Sequence, residues 1–567
     1  VRVVGLLGVI STVLITYGYY RFVKINWLIL VVLSIPYVVI VAYWFINYLL
    51  QLFYPGFDLE KHKTLVKNYW GDSHKSSTPQ VTVFIPAAGE PESVVKKTII
   101  AAKKIDYPQN KITVYLLDDT KTGEYKKLAE AQRIEYLNRP EHSYRKSGNL
   151  NYALSKIPET DHILLLDADF VPRKEILKEL VPYTRYDVGI IQSPQHFKIM
   201  ADKRRGSPIE FAAAYIQKEF YRIGQVGRSR FDSSICVGTN ALYSYRALKD
   251  VDGFALVNYA EDVRTGIKII NHIKDDGDPY RIKYIPIQLA TGTTPSDYFS
   301  FFKQQSRWAM GSFKFIFSKL TLFSHVLKPT QKILYFSNSL YYLCIIATLS
   351  MPFQFLALSL LKANSIHWRF AWFFLPQLLM IWLIMPVVYR RRKYLSVLTV
   401  TVANSYTFLQ SLTMVFIRHL PEWSATGCNQ KVVNKRYKAH RITVVTYYVI
   451  VYLGTLAVAI INQSFGKSHS YLIQILFLLA LLAQTVHLVY LFAKDSTLSK
   501  TASRIVIGGV GVILVAVLAI TVPMSGRYQF VGSVHPVSFR LVSHPSKTKR
   551  TDKIHKNCPK KCQQKPE

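Results

Sequence analysis

The sequence predicts an α/β domain with a largely parallel sheet, set between helices that cross a membrane. Three observations carry this. Long apolar runs lie at both ends of the chain, short β-branched runs alternate with helical patterns between them, and acidic pairs fall at the carboxyl ends of the expected strands.

Residues 27–53 contain no charged side chain, and as a helix they exceed the roughly 30 Å of a bilayer's hydrocarbon. Residues 1–20 are also apolar and lack a small-residue cleavage site before the next run, so they read as a first span rather than a removable leader. Further apolar runs occupy 333–361, 370–388, 442–461, 471–492 and 505–522. Residues 297–319 and 394–417 mix apolar and polar side chains, as helices lying at the membrane interface do. The expected organisation is therefore transmembrane helices over 1–53, a soluble domain over 54–296, and an interfacial region over 297–331. Transmembrane and interfacial segments follow over 332–522, and a basic tail over 523–567.

The formal charge of +36 at first suggests a nucleic-acid partner. The basic residues instead flank apolar runs, as Arg390, Arg391, Arg392 and Lys393 do, and they form no aromatic-interleaved groove. That placement suits anionic lipid headgroups and excludes nucleic acid as the expected partner. The basic loops 390–393 and 431–441 put the soluble domain on the cytosolic side of a multi-pass membrane protein. Five scattered cysteines make neither a zinc site nor a disulfide framework.

Within the soluble domain, residues 81–85, 112–117, 163–166 and 188–191 read as buried strands, with helical stretches such as 92–104 between them. In such a sheet, ligands gather at the strands' carboxyl ends. Asp118 and Asp119 follow the second strand; Asp167 and Asp169 follow the third. Carboxylates crowded there repel one another unless a hard divalent cation neutralises them. An isolated pair reads more readily as a turn or a helix start.

The order of motifs decides between those readings. Asp118-Asp119-Thr120 is followed by Asp167-Ala168-Asp169, then Glu261-Asp262, then QQSRW with Gln304, Arg307 and Trp308. Matching stretches are FIPAAGEP from Phe84, KSGNLN from Lys146, QSPQHF from Gln192 and CVGTNALYSYRAL from Cys236. From about Val81 to the last spans, the sequence resembles the processive family-2 glycosyltransferases that make cellulose, and more distantly hyaluronan and chitin synthases. The resemblance implies a Rossmann-like glycosyltransferase-A-type domain inserted between transmembrane helices. It implies that Asp118 or Asp119, with Lys146, Asp167, Gln304 and Arg307, contacts the nucleotide sugar. Asp169 with Asp167 would hold Mg²⁺ or Mn²⁺, Asp262 would be the general base, and Glu261 and Trp308 would hold the acceptor.

These residue types suit the chemistry. An inverting transfer needs the acceptor hydroxyl deprotonated as it attacks and the departing diphosphate neutralised. Asp262 suits the first need and the metal the second, and Arg307, whose planar fork stays charged, is suited to bind phosphate oxygens bidentately. Trp308 offers a flat face to a sugar ring.

Ala87, Ala88, Gly89 and Glu90 stand where cellulose synthases commonly read TYNE, which leaves the usual base-stacking tyrosine without a counterpart there. Ala260 replaces the threonine that usually precedes Glu261-Asp262. Residues 421–427, PEWSATG, read first as a loop with an interfacial Trp423 and partially resemble the gating loop of cellulose synthases. No arginine-plus-D/NxSxxG signature of a cyclic-dinucleotide domain is found.

The expected activity is polymerisation of a β-linked polysaccharide from a nucleotide sugar, UDP-glucose to a cellulose-like β-1,4-glucan first, with the growing polysaccharide passed across the membrane. A synthase of hyaluronan, chitin or mannan type shares the same catalytic residues. A non-enzymatic transporter or scaffold is disfavoured, because ionisable residues lie mainly outside the apolar runs.

Overall fold

A computed structural model of the chain describes residues 1–490 except 26, 72–77, 186, 200–207, 296, 317, 352, 355–367, 389–393, 418–434, 466–485 and 489. The loop 421–427, most of the run 471–492, the run 505–522 and the tail 523–567 lie outside the described residues.

Among the described residues, three helices are long and apolar enough to cross a membrane: Arg2–Arg21, Ser34–Leu52 and Pro329–Ser350. Trp372–Val388 and Thr446–Ile460 are shorter apolar helices. The first two belong to the helices Arg2–Ile25 and Trp27–Leu52, which pack side by side. Ser11 donates to Gln377 Oε1 at 2.7 Å, and Gln377 donates to the Tyr48 hydroxyl at 3.2 Å. That buried polar chain ties both helices to Trp368–Leu379. Polar groups removed from water can be satisfied only by one another.

Between the apolar helices the chain builds a mixed seven-stranded sheet. Its spatial order is β3 (Glu135–Asn138), β2 (Ile112–Asp118), β1 (Val81–Ala87), β4 (His162–Leu165), β8 (Ala241–Ser244), β6 (Val188–Gln192) and β9 (Arg281–Tyr284). The run from β3 to β4 is parallel, as the alternating pattern predicts. By contrast, β8 runs antiparallel to both β4 and β6. This strand was not foreseen: it has only four residues, and it inverts the direction of the sheet although helical segments over 208–229 precede it. A small second sheet joins β5 (Val171–Pro172), β10 (Ala290–Thr293) and β7 (His196–Lys198).

Apolar strands such as Val81–Ala87 are explained by burial on both faces. One face packs against Leu150, Ala153 and Leu154 of the helix Arg145–Lys156 and against Ile267, Ile269 and Ile270 of the helix Glu261–Asn271. The other takes Val95, Ile99 and Ala102 from Glu92–Lys103. Register then sets the site. Ala87 lies opposite Asp118, Asp118 opposite Asn138, and Phe84 opposite Leu165. β1 and β2 therefore end level, β4 ends opposite Phe84, and the residues that follow all three lie at the same edge of the sheet.

Past the domain, the QQSRW segment lies within the helix Tyr298–Ile316. It packs along Tyr394–Phe416, where the Ser306 and Ser411 hydroxyls meet at 2.8 Å.

Candidate active site

The two acidic pairs that look alike in sequence occupy different environments. Asp118 is fully buried. Its Oδ1 accepts from the Thr120 amide at 2.8 Å and hydroxyl at 2.6 Å; its Oδ2 accepts from the Tyr136 hydroxyl at 2.8 Å and the Tyr125 amide at 3.2 Å. Four donors fill a carboxylate's capacity, so Asp118 staples the loop internally. Asp119, its neighbour, faces a cavity. Arg139 grips it through two bonds, Nε to Oδ1 at 2.7 Å and Nη2 to Oδ2 at 3.1 Å, and His142 Nδ1 lies 3.0 Å from Oδ1. Of the two candidates for nucleotide contact, Asp119 is the one at the cavity.

Asp167 follows β4 by one residue. Its amide donates to Thr239 Oγ1 at 2.8 Å, and its carboxylate is ion-paired with Lys146, which also donates to the Gly238 carbonyl at 2.7 Å. Lys146 thereby joins the start of the helix Arg145–Lys156 to the acidic cluster. Burial, reinforced by the charges of Asp167 and Glu90, pushes the Asp169 carboxyl up to about 7. Burial raises Glu90 as well, although its Oε2 accepts from the Ala88 amide at 2.6 Å.

Glu261 and Asp262 begin the helix Glu261–Asn271, whose amide ends favour negative charge. Burial wins over that help: together with Glu261 beside it, burial pushes Asp262 up to about 7, while the Val263 amide at 2.8 Å and the charge of Lys146 pull the other way. Gly238, with φ of 72°, abuts this carboxylate. A Cβ there would fall 2.8 Å from the Asp262 Cβ, so any side chain would displace the acid.

Arg307 completes the charge balance. Burial lowers its affinity for a proton, and Glu261, Asp167 and Asp169 oppose that effect. Arg307 and Trp308 both line the cavity. Gln304 does not: it is buried off the cavity wall, and the next residue, Gln305, lines it instead, with its Nε2 buried and unpaired. A helix turns about 100° per residue, so adjacent glutamines cannot share a face.

Asp119, Lys146, Asp167, Asp169, Glu261, Asp262, Gln305, Arg307 and Trp308 border one cavity of about 930 Å³. It starts at Ala87, Ala88 and Asp119 on the sheet edge, passes Asp167, Asp169, Asp262 and Arg307, and continues to Tyr43, Trp44 and Tyr48 of the helix Trp27–Leu52 and Tyr341 of the helix Pro329–Ala347.

For a metal, the fit is specific. Among the described residues, no three His, Cys, Asp or Glu side chains converge as a protein cage. Two neighbouring carboxylates, Asp167 and Asp169, the second pushed up to about 7 by burial and by the charges of Asp167 and Glu90, suit a small hard cation that takes its remaining ligands from phosphate and water. A zinc site with four protein ligands does not fit.

Arg139 and Glu90 escaped the sequence reading. Arg139 is 4% exposed, and its partners lie across a turn and on a neighbouring strand's loop. The only hint was an arginine directly after a short strand.

The profile of Glycosyl transferase family group 2 matches residues 162–385. The cellulose synthase 1 catalytic subunit (UDP-forming) of Komagataeibacter xylinus is 30% identical over 261 residues, covering 46% of this chain and 34% of that protein. The corresponding subunit of Xanthomonas axonopodis pv. citri is 29% identical over 266 residues, covering 47% and 36%. The chain thus spans about a third of the length of these relatives. Among solved structures, a mannosyltransferase from Pyrobaculum calidifontis, in complex with GDP-Man and Mn²⁺, aligns with 64% of this chain and 97% of its own at 17% identity and a TM-score of 0.43, a likeness too loose to bear on the site. Over these parts of its length the chain is similar to family-2 glycosyltransferases and to cellulose synthase catalytic subunits.

Proposed function

We propose that the protein is a membrane-embedded, processive, inverting glycosyltransferase that polymerises a β-linked polysaccharide from a nucleotide sugar and passes the product across the membrane. UDP-glucose and a β-1,4-glucan are the first choice, in keeping with the UDP-forming relatives. One observation carries the reading: the acidic edge, Asp262 and the aromatic side chains of the apolar helices border a single continuous cavity.

In this reading Asp262 takes the proton of the acceptor hydroxyl as its oxygen bonds to the anomeric carbon and the bond to the diphosphate oxygen breaks. A pKa near 7 leaves Asp262 both ionised enough to accept a proton and basic enough to be effective. Arg307 receives the departing diphosphate, its guanidinium fixed by burial. Lys146 orients Asp167. Trp308 holds the terminal sugar in line beside the base. Asp167 and Asp169 would hold Mg²⁺ or Mn²⁺, which when bound neutralises charge on the diphosphate. The product would leave between Tyr43, Trp44, Tyr48 and Tyr341, with the catalytic domain cytosolic and the chain crossing the bilayer several times.

The test is radiolabel incorporation by purified, membrane-reconstituted protein from a panel of UDP- and GDP-sugars, followed by linkage-specific digestion. Cellulase-sensitive polymer from UDP-glucose is the expected result. Cellulase-resistant polymer would move the reading to another β-linked product; no transfer from any donor would end it.

A further inference from the structure

We propose that the turn between the helices Tyr298–Ile316 and Pro329–Ala347 is a lipid-contact surface: Leu322 and Phe323 enter the acyl boundary of a bilayer, and Lys319 and Lys328 meet its anionic headgroups. This rests on the membrane reading above and names a contact outside the apolar helices.

The turn is held rigid without help from the side chains at its tip. Leu320 and Leu327 pack on the core that also takes the helices Arg145–Lys156 and Glu261–Asn271. The Ser324 hydroxyl accepts from the Val326 amide at 3.1 Å and the Leu327 amide at 2.9 Å, and it donates to Asn271 Oδ1. Asn271 in turn donates to the Leu320 carbonyl at 3.2 Å. The amides of Leu322 and Phe323 reach back to the carbonyls of Ser318 and Lys319 at 3.3 and 3.0 Å.

The tip itself is left out of this packing. Leu322 is 49% exposed and Phe323 71%, more than any other large apolar side chain among the described residues. Apolar surface gains free energy by leaving water, and adjacent exposed side chains on a rigid support mark a contact.

Two features identify what covers it. The first is its place beside a helix long enough to cross a membrane. Lys332 Nζ donates to the Leu322 carbonyl at 3.4 Å, which ties the tip to the first turn of Pro329–Ala347. Ile333 and Phe336, three residues apart and so on one face of that helix, are 53% and 37% exposed. The exposed apolar side chains of the tip and of the helix's first two turns thus gather at the same end of the helix.

The second feature is charge. From Tyr298 to Pro421 the chain carries no aspartate or glutamate, and Lys319 and Lys328, both exposed, stand on either side of the tip in sequence. An apolar tip between cations matches a bilayer surface, where acyl chains lie beneath anionic headgroups. A second copy fits less well, since two chains of formal charge +36 repel each other.

For the test, full-length protein carrying Cys428→Ser, Cys558→Ser and Cys562→Ser, with Cys236 and Cys344 left buried, is reconstituted in nanodiscs of phosphatidylcholine, with or without phosphatidylglycerol. A spin label is placed at Phe323→Cys, at Val38→Cys in the helix Trp27–Leu52, or at Glu135→Cys on the edge strand β3. Its collisions with oxygen, which partitions into the bilayer, are compared with those of a neutral nickel chelate, which stays in water. The oxygen-to-nickel ratio at Phe323→Cys should exceed that at Glu135→Cys several-fold and rise further with phosphatidylglycerol. Adding Lys319→Gln and Lys328→Gln should remove that rise. A ratio at Phe323→Cys equal to that at Glu135→Cys overturns the proposal, because the tip then lies in water. Protection from both reagents also overturns it, because a protein surface then covers the tip. So does a ratio indifferent to phosphatidylglycerol, or a rise that survives loss of both lysines. If Val38→Cys reads like Glu135→Cys, the membrane reading itself fails, and this proposal with it.

Discussion

Asp118-Asp119 and the trio of Asp167, Asp169 and Asp262 are all carboxylates at strand ends or a helix start, yet the protein treats them oppositely. The first pair is closed by its own fold: hydroxyls, amides and a bidentate arginine fill nearly every acceptor position. In the second group Asp167 is paired with Lys146, while Asp169 and Asp262 are each pushed up to about 7 by burial and by neighbouring acids. A satisfied carboxylate holds shape, whereas an under-compensated one is poised to take a proton or a cation. Rigidity thus belongs to the end of the cavity assigned to recognition, and chemical tension to the end assigned to transfer.

Four experiments can break or sharpen that contrast. Asp262→Asn removes the proposed base and should lower the single-turnover transfer rate by about 10²- to 10⁴-fold while UDP affinity holds; a rate near wild type would remove Asp262 from the mechanism. Arg139→Ala acts at the closed end, leaving Asp119 buried without its cation. It should cost about 3–5 kcal/mol of stability, read by chemical denaturation, and a loss below 1 kcal/mol would show that the pair is not structural. Tyr136→Phe deletes one donor to Asp118 and should cost about 1–2 kcal/mol, with the transfer rate of the folded protein unchanged.

The smallest effect concerns pH. A base must be ionised, so with Asp262 at about 7 the rate of transfer should rise with pH up to that value and level off above it, falling about tenfold per unit below. The negative charge of Glu261 helps hold Asp262 up. Glu261→Gln should therefore move the rise to lower pH, and an unmoved midpoint would mean that burial alone sets it.

Much of the fold was legible because its signals are local. β1, β2, β4 and β6 announce themselves as β-branched runs, and the acidic residues follow them at the expected edge. The first two helices long and apolar enough to cross a membrane declare themselves by length and hydropathy. β8 was missed because four residues carry too little pattern, and its partners lie far along the chain. Gln304 and Gln305 are indistinguishable as letters; the rotation of one helix against its neighbour puts the second on the cavity wall. Arg139 was invisible because its importance lies in what it touches, not in what surrounds it in sequence.

By itself, the sequence determined the alternation of strands and helices, the apolar spans and the order of the acidic motifs, since periodicity and hydropathy are properties of neighbouring residues. Only the tertiary structure decided which carboxylates are saturated and which are strained, that Lys146 meets Asp167, and that Arg139 grips Asp119. Hydrogen-bond supply and desolvation depend on atoms brought together from distant segments, and they separate chemically identical side chains into structural and reactive ones.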